Sequence, residues 1–351
     1  MQERKSGHIV EIDTFRAWAI MSVVSFHYVK EFYPGWGSFF RFGWSGVDLF
    51  FVISGFVMYL QVKRRYAKEG KIDFRKYFRN RFLRIAPAFY ASLLAEVLFL
   101  HRDKLFSKEL LMHLSFTHIF SYNVAFSIQP IYWSLAIEVQ FYMFLILIAS
   151  FLTKRSEAIF FTFLMVLSVV YRYIISYIYG FSHTGILLIN QLPGRLPQFI
   201  AGIFLAMAYR EEDFWKSLQK KVPYLLFGGI IIFMGCAFYW LRGGDKIFDN
   251  ILTETVFHPL LGISFSLIMA SLIGLSGKAG AILRLKPLVF IGLISYSIYL
   301  WHFFFLEIAN ATGLSTAVSS GIGMLITLFI TLFFSTISYY LIEKQFLKLK
   351  A

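Results

Sequence analysis

Residues 12–28 read IDTFRAWAIMSVVSFHY, an apolar run of membrane-spanning length that contains an arginine, Arg16, and a histidine, His27. Ionisable side chains inside a span cost roughly 2.5–3.5 kcal/mol each, which favours a functional role for them. In a helix the two residues are about three turns apart, so they share one face and are separated by about 16 Å along the axis. The stretch therefore predicts a membrane helix with a cation towards one leaflet and a titratable imidazole towards the other.

The composition of the chain is typical of a membrane protein. Of its 351 residues, 58% are hydrophobic and 15% are charged, whereas soluble domains are nearer half apolar and a quarter charged. The net charge of +14 would suggest nucleic acid in a soluble chain, but basic residues also collect in the cytoplasmic loops of membrane proteins. We therefore expect a lipid bilayer and no nucleic acid as partner, and one all-α integral-membrane domain over residues 1–351.

The apolar runs and the charges between them predict a topology of about ten transmembrane helices. Most of the 34 lysines and arginines fall in loops that are cytoplasmic if the N-terminus is cytoplasmic, so we expect both termini inside, as residues 1–11 and 342–351. Residues 105–121 are apolar but broken by charged residues and histidines, which is typical of an interfacial or re-entrant segment. The ten runs lie near residues 12–30, 44–62, 84–100, 131–152, 157–179, 193–209, 222–241, 252–276, 288–308 and 317–341.

This topology assigns a depth to the polar residues in the spans, although depth alone does not show which of them meet. On the inner side, Arg16 lies at the level of Arg81 and Arg84, which are three residues apart and share a face if helical. Guanidinium groups bind phosphate through paired hydrogen bonds, so these arginines suit a phosphorylated ligand. The outer side holds a second group: His27, Asp48, Glu138, Arg172, Arg195 and His302.

Structural interpretations of these residues also stay open. Arg81 and Arg84 could bind lipid headgroups or anchor the topology, an interpretation that suits the deeper Arg16 less well. His27 and His302 could be structural histidines. Asp48 lies near a predicted helix start, where a carboxylate can act as a cap. Glu138 has no basic residue nearby in sequence and needs a proton or cation from elsewhere, which favours a functional role.

Five segments together form a recognisable set. They resemble acyltransferase family 3, the membrane-bound O-acyltransferases that decorate bacterial surface polysaccharides and some lipids and secondary metabolites. The resemblance runs from Ile12 to Lys344 and departs at Val139, where the family often has a second carboxylate. The family's optional extracytoplasmic hydrolase-like domain is not found, so a stand-alone form is expected. The segments are FRA at 15–17 with His27, WSGVDLFFVISGF at 44–56, RFLRIAP at 81–87, YWSLAIEVQFY at 132–142 and SYSIYLWH at 295–302.

The resemblance implies a multi-pass protein of the bacterial cytoplasmic (inner) membrane that carries acyl groups, most often acetyl, across the bilayer. The donor is cytoplasmic acyl-CoA, acetyl-CoA above all, and the acceptor is a hydroxyl of an extracytoplasmic polysaccharide or lipid-linked glycan. Under this hypothesis Arg16, Arg81 and Arg84 hold the CoA phosphates, and the pantetheine arm follows the face that joins Arg16 to His27.

The same hypothesis assigns the chemistry to the outer group. His27 is the general base, because an imidazole pKa near 6.5 suits that role. Glu138 or Asp48 orients the imidazole and stabilises its charged form. Substrate-binding or supporting roles are expected for the remaining residues: Trp133, Arg172, Arg195 and His302.

The main alternative is a multispan transporter or flippase for a lipid-linked sugar or a proton-coupled solute, because intramembrane Arg, His and Glu are equally typical of transporters. Internal repeats would favour transport, and none is found. No metal site is expected, since the eight histidines are scattered and His113 and His118 lack the i,i+4 spacing of helical metal ligands. The acceptor, the acyl group and the oligomeric state are not readable from the sequence.

Overall fold

The computed structural model describes residues 8–33, 38–70, 72–149, 156–275, 277–314 and 319–350. These residues form an all-helical protein, which confirms the predicted fold class. The predicted cytoplasmic N-terminus lies largely outside the described residues.

The α-helices account for most of the described chain, and a π-helical turn at Tyr339–Glu343 joins the last two. Their bounds are α1 Val10–Phe32, α2 Ser38–Arg41, α3 Gly46–Glu69, α4 Phe74–Phe99, α5 Lys108–Leu114, α6 Tyr122–Ala125, α7 Trp133–Ala149, α8 Glu157–Tyr179, α9 His183–Ile189, α10 Leu192–Arg210, α11 Glu212–Gln219, α12 Val222–Gly243, α13 Ile251–Leu272, α14 Gly277–Leu283, α15 Lys286–Leu293, α16 Ser295–Ala311, α17 Ser320–Ser338 and α18 Lys344–Lys348.

Seven helical stretches among the described residues are long and apolar enough to cross a membrane. An eighth counts if α15 and α16, which bend by 56° at their junction, form one span. The predicted number of ten is not confirmed, because α1 and α10 occupy two of the predicted positions as helices but do not meet this criterion. Their polar residues lower the mean hydropathy, and a helix that is covered by protein tolerates such residues where a lipid-facing helix does not.

The chain divides into two compact units. The first comprises Met1–Ala19, Trp44–Lys71 and Gln140–Gly292, and the second comprises Ile20–Gly43, Ile72–Val139 and Leu293–Ala351. Helix α1 therefore contributes its first half to the first unit and its second half to the second, and α7 divides after Val139.

In the first unit, α3 and α10 approach so closely that only glycine fits at two contact positions. A Cβ atom added at Gly55 would lie 2.0 Å from the carbonyl oxygen of Phe199, and one added at Gly202 would lie 2.0 Å from that of Val52. Small residues of this kind let helix backbones touch in membrane proteins. The two glycines thus set the distance between α3 and α10.

Two prolines, one in α13 and one in α10, leave a backbone carbonyl without its usual helical N–H donor. Side chains of α8 donate to these two carbonyls instead. Pro259 has no N–H for the carbonyl of Thr255 four residues earlier, and the Arg172 Nε donates to that carbonyl at 3.2 Å instead. Pro197 likewise frees the carbonyl of Pro193, which accepts from the Ser168 hydroxyl. Such replacement donors are required where no water reaches the backbone.

Arg172 is fully buried, and its other donors also find acceptors inside the protein. Its Nη1 donates to the carbonyl of Gly194 at 2.9 Å, and its Nη2 donates to the Glu254 carboxylate at 3.0 Å. One guanidinium therefore ties α8 to the start of α10 and to α13.

In the second unit, α16 is fixed to α4 by hydrogen bonds from side chains to backbone carbonyls. The Tyr296 hydroxyl donates to the Ile85 carbonyl at 2.8 Å, and the Ser92 hydroxyl donates to the Leu300 carbonyl at 3.2 Å. The Tyr132 hydroxyl lies 2.7 Å from the Ser92 oxygen. These bonds set the position of α16, which carries His302.

Residues 100–129, between α4 and α7, form short helices and turns, in keeping with the predicted break in this segment. His113 and His118 stack in it with ring centroids 4.2 Å apart, and both are fully buried. Burial above all, together with the neighbouring His113, lowers the pKa of His118 to about 3. His118 Nε2 lies 3.2 Å from the Tyr132 carbonyl, so this imidazole is neutral at pH 7 and acts as a structural contact.

Replacing Gly55 with alanine is expected to destabilise the protein, because the added methyl group collides with backbone that cannot move away as a side chain could. Overpacking of this kind costs about 1–3 kcal/mol. Thermal unfolding of the purified protein in detergent measures the loss. Gly235→Ala in α12 is the matched control, because its new Cβ meets nothing within 4 Å and should stabilise its helix slightly. Equal midpoints for the two variants would contradict the close approach of α3 and α10.

Arg172→Lys keeps the charge but loses the forked donors, so buried carbonyls are left unpaired at about 1–3 kcal/mol each. We expect a clear loss of stability, and Arg242→Lys at an exposed position should show none. Adding Pro259→Ala restores the N–H for Thr255 and should recover part of the loss. Strictly additive effects of the two substitutions, measured as a double-mutant cycle, would contradict the replacement-donor role.

Candidate functional site

His27, the predicted general base, lies on α1 among aromatic side chains of the second unit. Its ring centroid is 5.3 Å from that of His302 and 5.1 Å from that of Phe303, which meets it edge-on at 87°. Phe26 contacts the same imidazole at 4.7 Å. The structure therefore brings together two residues, His27 and His302, that the sequence placed only at a common depth.

The tautomer of His302 is set by its own helix. Its Nδ1 lies 2.8 Å from the Tyr299 carbonyl and 3.2 Å from the Ile298 carbonyl, both acceptors, so Nδ1 carries the proton. The Nε2 atom is then the acceptor nitrogen. It is buried and has no hydrogen-bond partner within the described part of the chain. His302 thus contributes an imidazole with a free lone pair beside His27.

Glu138 of α7 lies close enough to α16 to act electrostatically on the hydroxyls of Tyr296 and Tyr299. The Tyr299 hydroxyl also donates to the Ile131 carbonyl at 2.8 Å and lies 2.7 Å from the Ser134 oxygen. Glu138 therefore lies near α16, the helix that carries His302. Its predicted direct action on His27 stays a prediction.

Trp133 begins α7 and is half-buried. Its expected supporting role stays a prediction.

Asp48 belongs to the first unit and has a different imidazole as partner. Its Oδ1 lies 2.8 Å from the Nδ1 of His258 and accepts from the Gln198 amide at 2.7 Å. The Nη1 of Arg195 is 3.6 Å from the same oxygen. Asp48 is almost completely buried, so these groups neutralise and satisfy it inside the protein.

Arg195 also belongs to this cluster, and the sequence predicted the same depth for Arg195 and Asp48. Its Nε donates to the Asn190 side-chain oxygen at 2.9 Å, and its Nη1 lies 2.7 Å from the His258 Nδ1. That nitrogen donates to Asp48 when protonated and accepts from Arg195 when bare. The structure thus brings Asp48 and Arg195 together. Arg172, which was expected at the same depth, instead donates hydrogen bonds to backbone carbonyls of α10 and α13.

Arg16 lines a pocket of ≈ 190 Å³ between α1 and α3 in the first unit. A second guanidinium, Arg64, and the imidazole of His8 line the same pocket. Asp13 partly balances these charges, since its Oδ1 is 3.1 Å from Arg16 Nη1 and its Oδ2 is 2.9 Å from His8 Nε2. Two guanidiniums and an imidazole around a space of this size can hold a phosphate group.

Arg81 and Arg84 lie on α4 in the second unit. The Arg84 guanidinium forms an ion pair with the buried carboxylate of Glu343, which also accepts from Ser297 at 3.0 Å. Arg81 is half-buried. The predicted convergence of this pair with Arg16 on one phosphorylated ligand stays a prediction.

Sequence reasoning missed His258 and Arg64. His258 lies in an apolar run beside Pro259. An ionisable residue inside a span is a functional candidate by default, so the sequence did contain a signal for His258. Arg64 lies in the basic run Lys63–Arg65, where topological anchoring explains any one cation equally well. Only the packing of α1 against α3 distinguishes it.

Comparison with known proteins agrees with the resemblance seen in the motifs. A protein of Staphylococcus aureus (strain COL) named "Putative O-acetyltransferase SACOL0978" is 28% identical over 366 residues, covering 98% of this chain and 58% of the relative. The O-acetyltransferase OatA of Staphylococcus aureus (strain NCTC 8325 / PS 47) is 26% identical over 355 residues, covering 95% of this chain and 56% of OatA. The chain thus spans somewhat more than half the length of these relatives. No solved structure matches it.

The family match covers nearly the whole chain. The model of acyltransferase family 3, described as an acyltransferase domain, matches residues 9–343. Among the described residues, this range contains the helical stretches long and apolar enough to cross a membrane, except for the end of the last, Ser320–Lys348. These stretches identify a multi-pass membrane protein. The chain therefore belongs to acyltransferase family 3.

Proposed function

We propose that this protein transfers an acyl group, acetyl in the first instance, from acyl-CoA on the cytoplasmic side to a glycan hydroxyl on the other side of a bacterial inner membrane. The observation that carries the proposal is the pairing of His27 with His302. The relatives named O-acetyltransferases support the same reaction class. Because these relatives are longer than this chain, their activity supports the proposal but is not transferred to this chain directly.

His27 is the proposed general base. It takes the proton of the acceptor hydroxyl while the oxygen attacks the thioester carbonyl carbon. The carbon–sulfur bond then breaks, and the CoA thiolate leaves and is protonated. Base catalysis by a positioned imidazole contributes roughly 10²–10⁴-fold to the rate.

His302 is a positioning residue in this proposal. Its Nδ1 is held by the Tyr299 carbonyl, so its Nε2 can accept a hydrogen bond beside His27. Of the two predicted carboxylates, Glu138 belongs to the same unit as His27, while Asp48 is satisfied by His258 and Gln198. We therefore assign the charge-stabilising role to Glu138 and a structural role to Asp48.

The pocket that holds Arg16 and Arg64 is the proposed site for a phosphate of CoA. Both guanidiniums can donate in pairs to phosphate oxygens. Arg81 and Arg84 are proposed to act on the same ligand, with Arg84 shared between phosphate and Glu343. A lipid headgroup also offers a phosphate group to this pocket. Comparing acetyl-CoA with a phosphate-free acetyl donor distinguishes CoA from lipid as the ligand.

The decisive experiment measures CoA thiol release from acetyl-CoA by the purified protein in lipid vesicles, with and without a glycan acceptor. We expect acceptor-dependent release and an acetylated glycan by mass spectrometry. Uptake of a sugar or solute into the vesicles without acetyl-CoA would instead support a transporter.

His27→Ala is expected to lower acetyl transfer by roughly 10²–10⁴-fold, because the hydroxyl then loses its proton acceptor. The variant is compared with His183→Ala, which removes an exposed histidine of α9 and should retain the parent rate. Gel filtration and thermal unfolding establish that both variants are folded. Transfer by folded His27→Ala at the parent rate would eliminate the base assignment.

Arg64→Ala and Arg16→Ala are each expected to raise the KM for acetyl-CoA by roughly tenfold to a hundredfold, because a hydrogen bond to a charged group is worth about 1.5–3 kcal/mol. The phosphate-free donor S-acetyl-N-acetylcysteamine should be used equally well by the parent and both variants. Arg75→Ala, at an exposed position of α4, is the control for a general loss of positive charge. An equal KM increase with both donors would show that the pocket does not bind a phosphate group of acetyl-CoA.

A further inference from the structure

A third cluster of ionisable side chains lies in the second unit, outside the histidine pair. Glu96 lies in the last turn of α4, Glu307 lies near the end of α16, and His101 follows α4 in the chain. One ligand atom of each lies within 4.8 Å of the other two. The His101 Nε2 is 4.0 Å from Glu307 Oε2, too far for a hydrogen bond.

The three ligand atoms are buried and unsatisfied. Glu96 is completely buried, and its Oε1 accepts from the Gln129 amide. Its Oε2, the Glu307 Oε2 and the His101 Nε2 accept no hydrogen bond from other described residues, and the two carboxyl groups can bond each other only by sharing a proton. Among those residues, neither carboxylate forms an ion pair with a lysine or arginine. An unsatisfied buried polar group is costly, so three that face one another call for a common partner.

Two carboxylates this close cannot both be ionised without a counter-charge. A shared proton would serve the two carboxylates but leave the His101 nitrogen without a partner. A cation satisfies all three atoms at once and balances the charge of the pair. A cation is thus the single partner that satisfies all three atoms, and a proton shared by Glu96 and Glu307 is the alternative that an experiment has to exclude.

The imidazole is oriented as a ligand. The His101 ring forms a hydrogen bond with the Ile128 backbone, and Nε2 is its unpartnered nitrogen. Metal-bound histidines usually donate their other ring nitrogen in this way. Bonds of about 2.0–2.4 Å place two ligand atoms of one ion roughly 3–4.5 Å apart, so the cluster fits with small side-chain adjustments.

We propose that Glu96, His101 and Glu307 bind a divalent transition-metal cation such as Zn²⁺ or Mn²⁺, which clamps the end of α4 to the end of α16. The nitrogen ligand favours these ions over Mg²⁺ and Ca²⁺, which prefer oxygen alone. Glu96 and His101 are close in the sequence, but Glu307 lies on a different helix far along the chain, so no local spacing motif predicts the site. The proposal is independent of acyl transfer.

The test titrates the chelator-treated full-length protein in detergent with Mn²⁺ and follows the free ion by electron paramagnetic resonance. One Mn²⁺ per chain is expected, displaced by Zn²⁺. Glu96→Gln and Glu307→Gln should each weaken binding at least tenfold. Glu109→Gln, a carboxylate of α5 in the same unit but outside the cluster, should bind as the parent does. Bound Zn²⁺ should also raise the unfolding temperature of the parent and of Glu109→Gln only.

The proposal is overturned if the parent binds no Mn²⁺, or if Glu96→Gln and Glu307→Gln bind it as tightly as the parent. It is also overturned if infrared spectra of the parent show a protonated carboxyl that persists with Mn²⁺ and disappears in Glu96→Gln. If the glutamine variants do not fold, His101→Gln carries the test, because His101 is partly exposed and lies in a loop. Retention of parent affinity by folded His101→Gln contradicts the site.

Discussion

The hydrogen bonds that Arg172 donates to backbone carbonyls are the constraint on which the first unit depends. Prolines in α10 and α13 remove donors from two helices that also carry buried polar side chains. Where water does not reach, a freed carbonyl needs a donor from the protein. Arg172 and Ser168 of α8 supply it. The Asp48, Arg195 and His258 cluster therefore lies between helices whose irregular backbone is held in place by a third.

The same requirement explains why two helices of spanning length are less apolar than the rest. Helix α1 carries Arg16 with Asp13 at one end and His27 with His302 further along. Arg16 pairs with Asp13, and the His27 ring lies against other rings of the protein, so neither group is left alone against lipid. Hydropathy measures how a helix suits lipid, and it undercounts helices that are covered by other helices.

The sequence predicted the helical class and most of the helices because apolar runs and charged loops are local signals. It also predicted that His27, Glu138 and His302 share a depth, since depth follows from topology and position along a span. Lateral position does not follow from either. The partner of Asp48 is 210 residues away, and the phosphate pocket needs Arg64 to face Arg16. Both depend on how helices pack, which for α3 and α10 is set by backbone contact at two glycines.

Histidine orientation in the second unit depends on backbone acceptors more than on a carboxylate. The His302 ring is held by the Tyr299 carbonyl of its own helix, so it moves only as α16 moves. Helix α16 is in turn bonded to α4 through Tyr296 and Ser92. A cation between Glu96 and Glu307 would add a further tie between these two helices, at the end where two carboxyl groups meet. Without it a shared proton has to keep the two carboxylates from repelling each other, since both cannot be ionised this close together. The position of His302 beside His27 then rests on the hydroxyl contacts, which include the Tyr28 hydroxyl that donates to the His302 carbonyl at 3.1 Å.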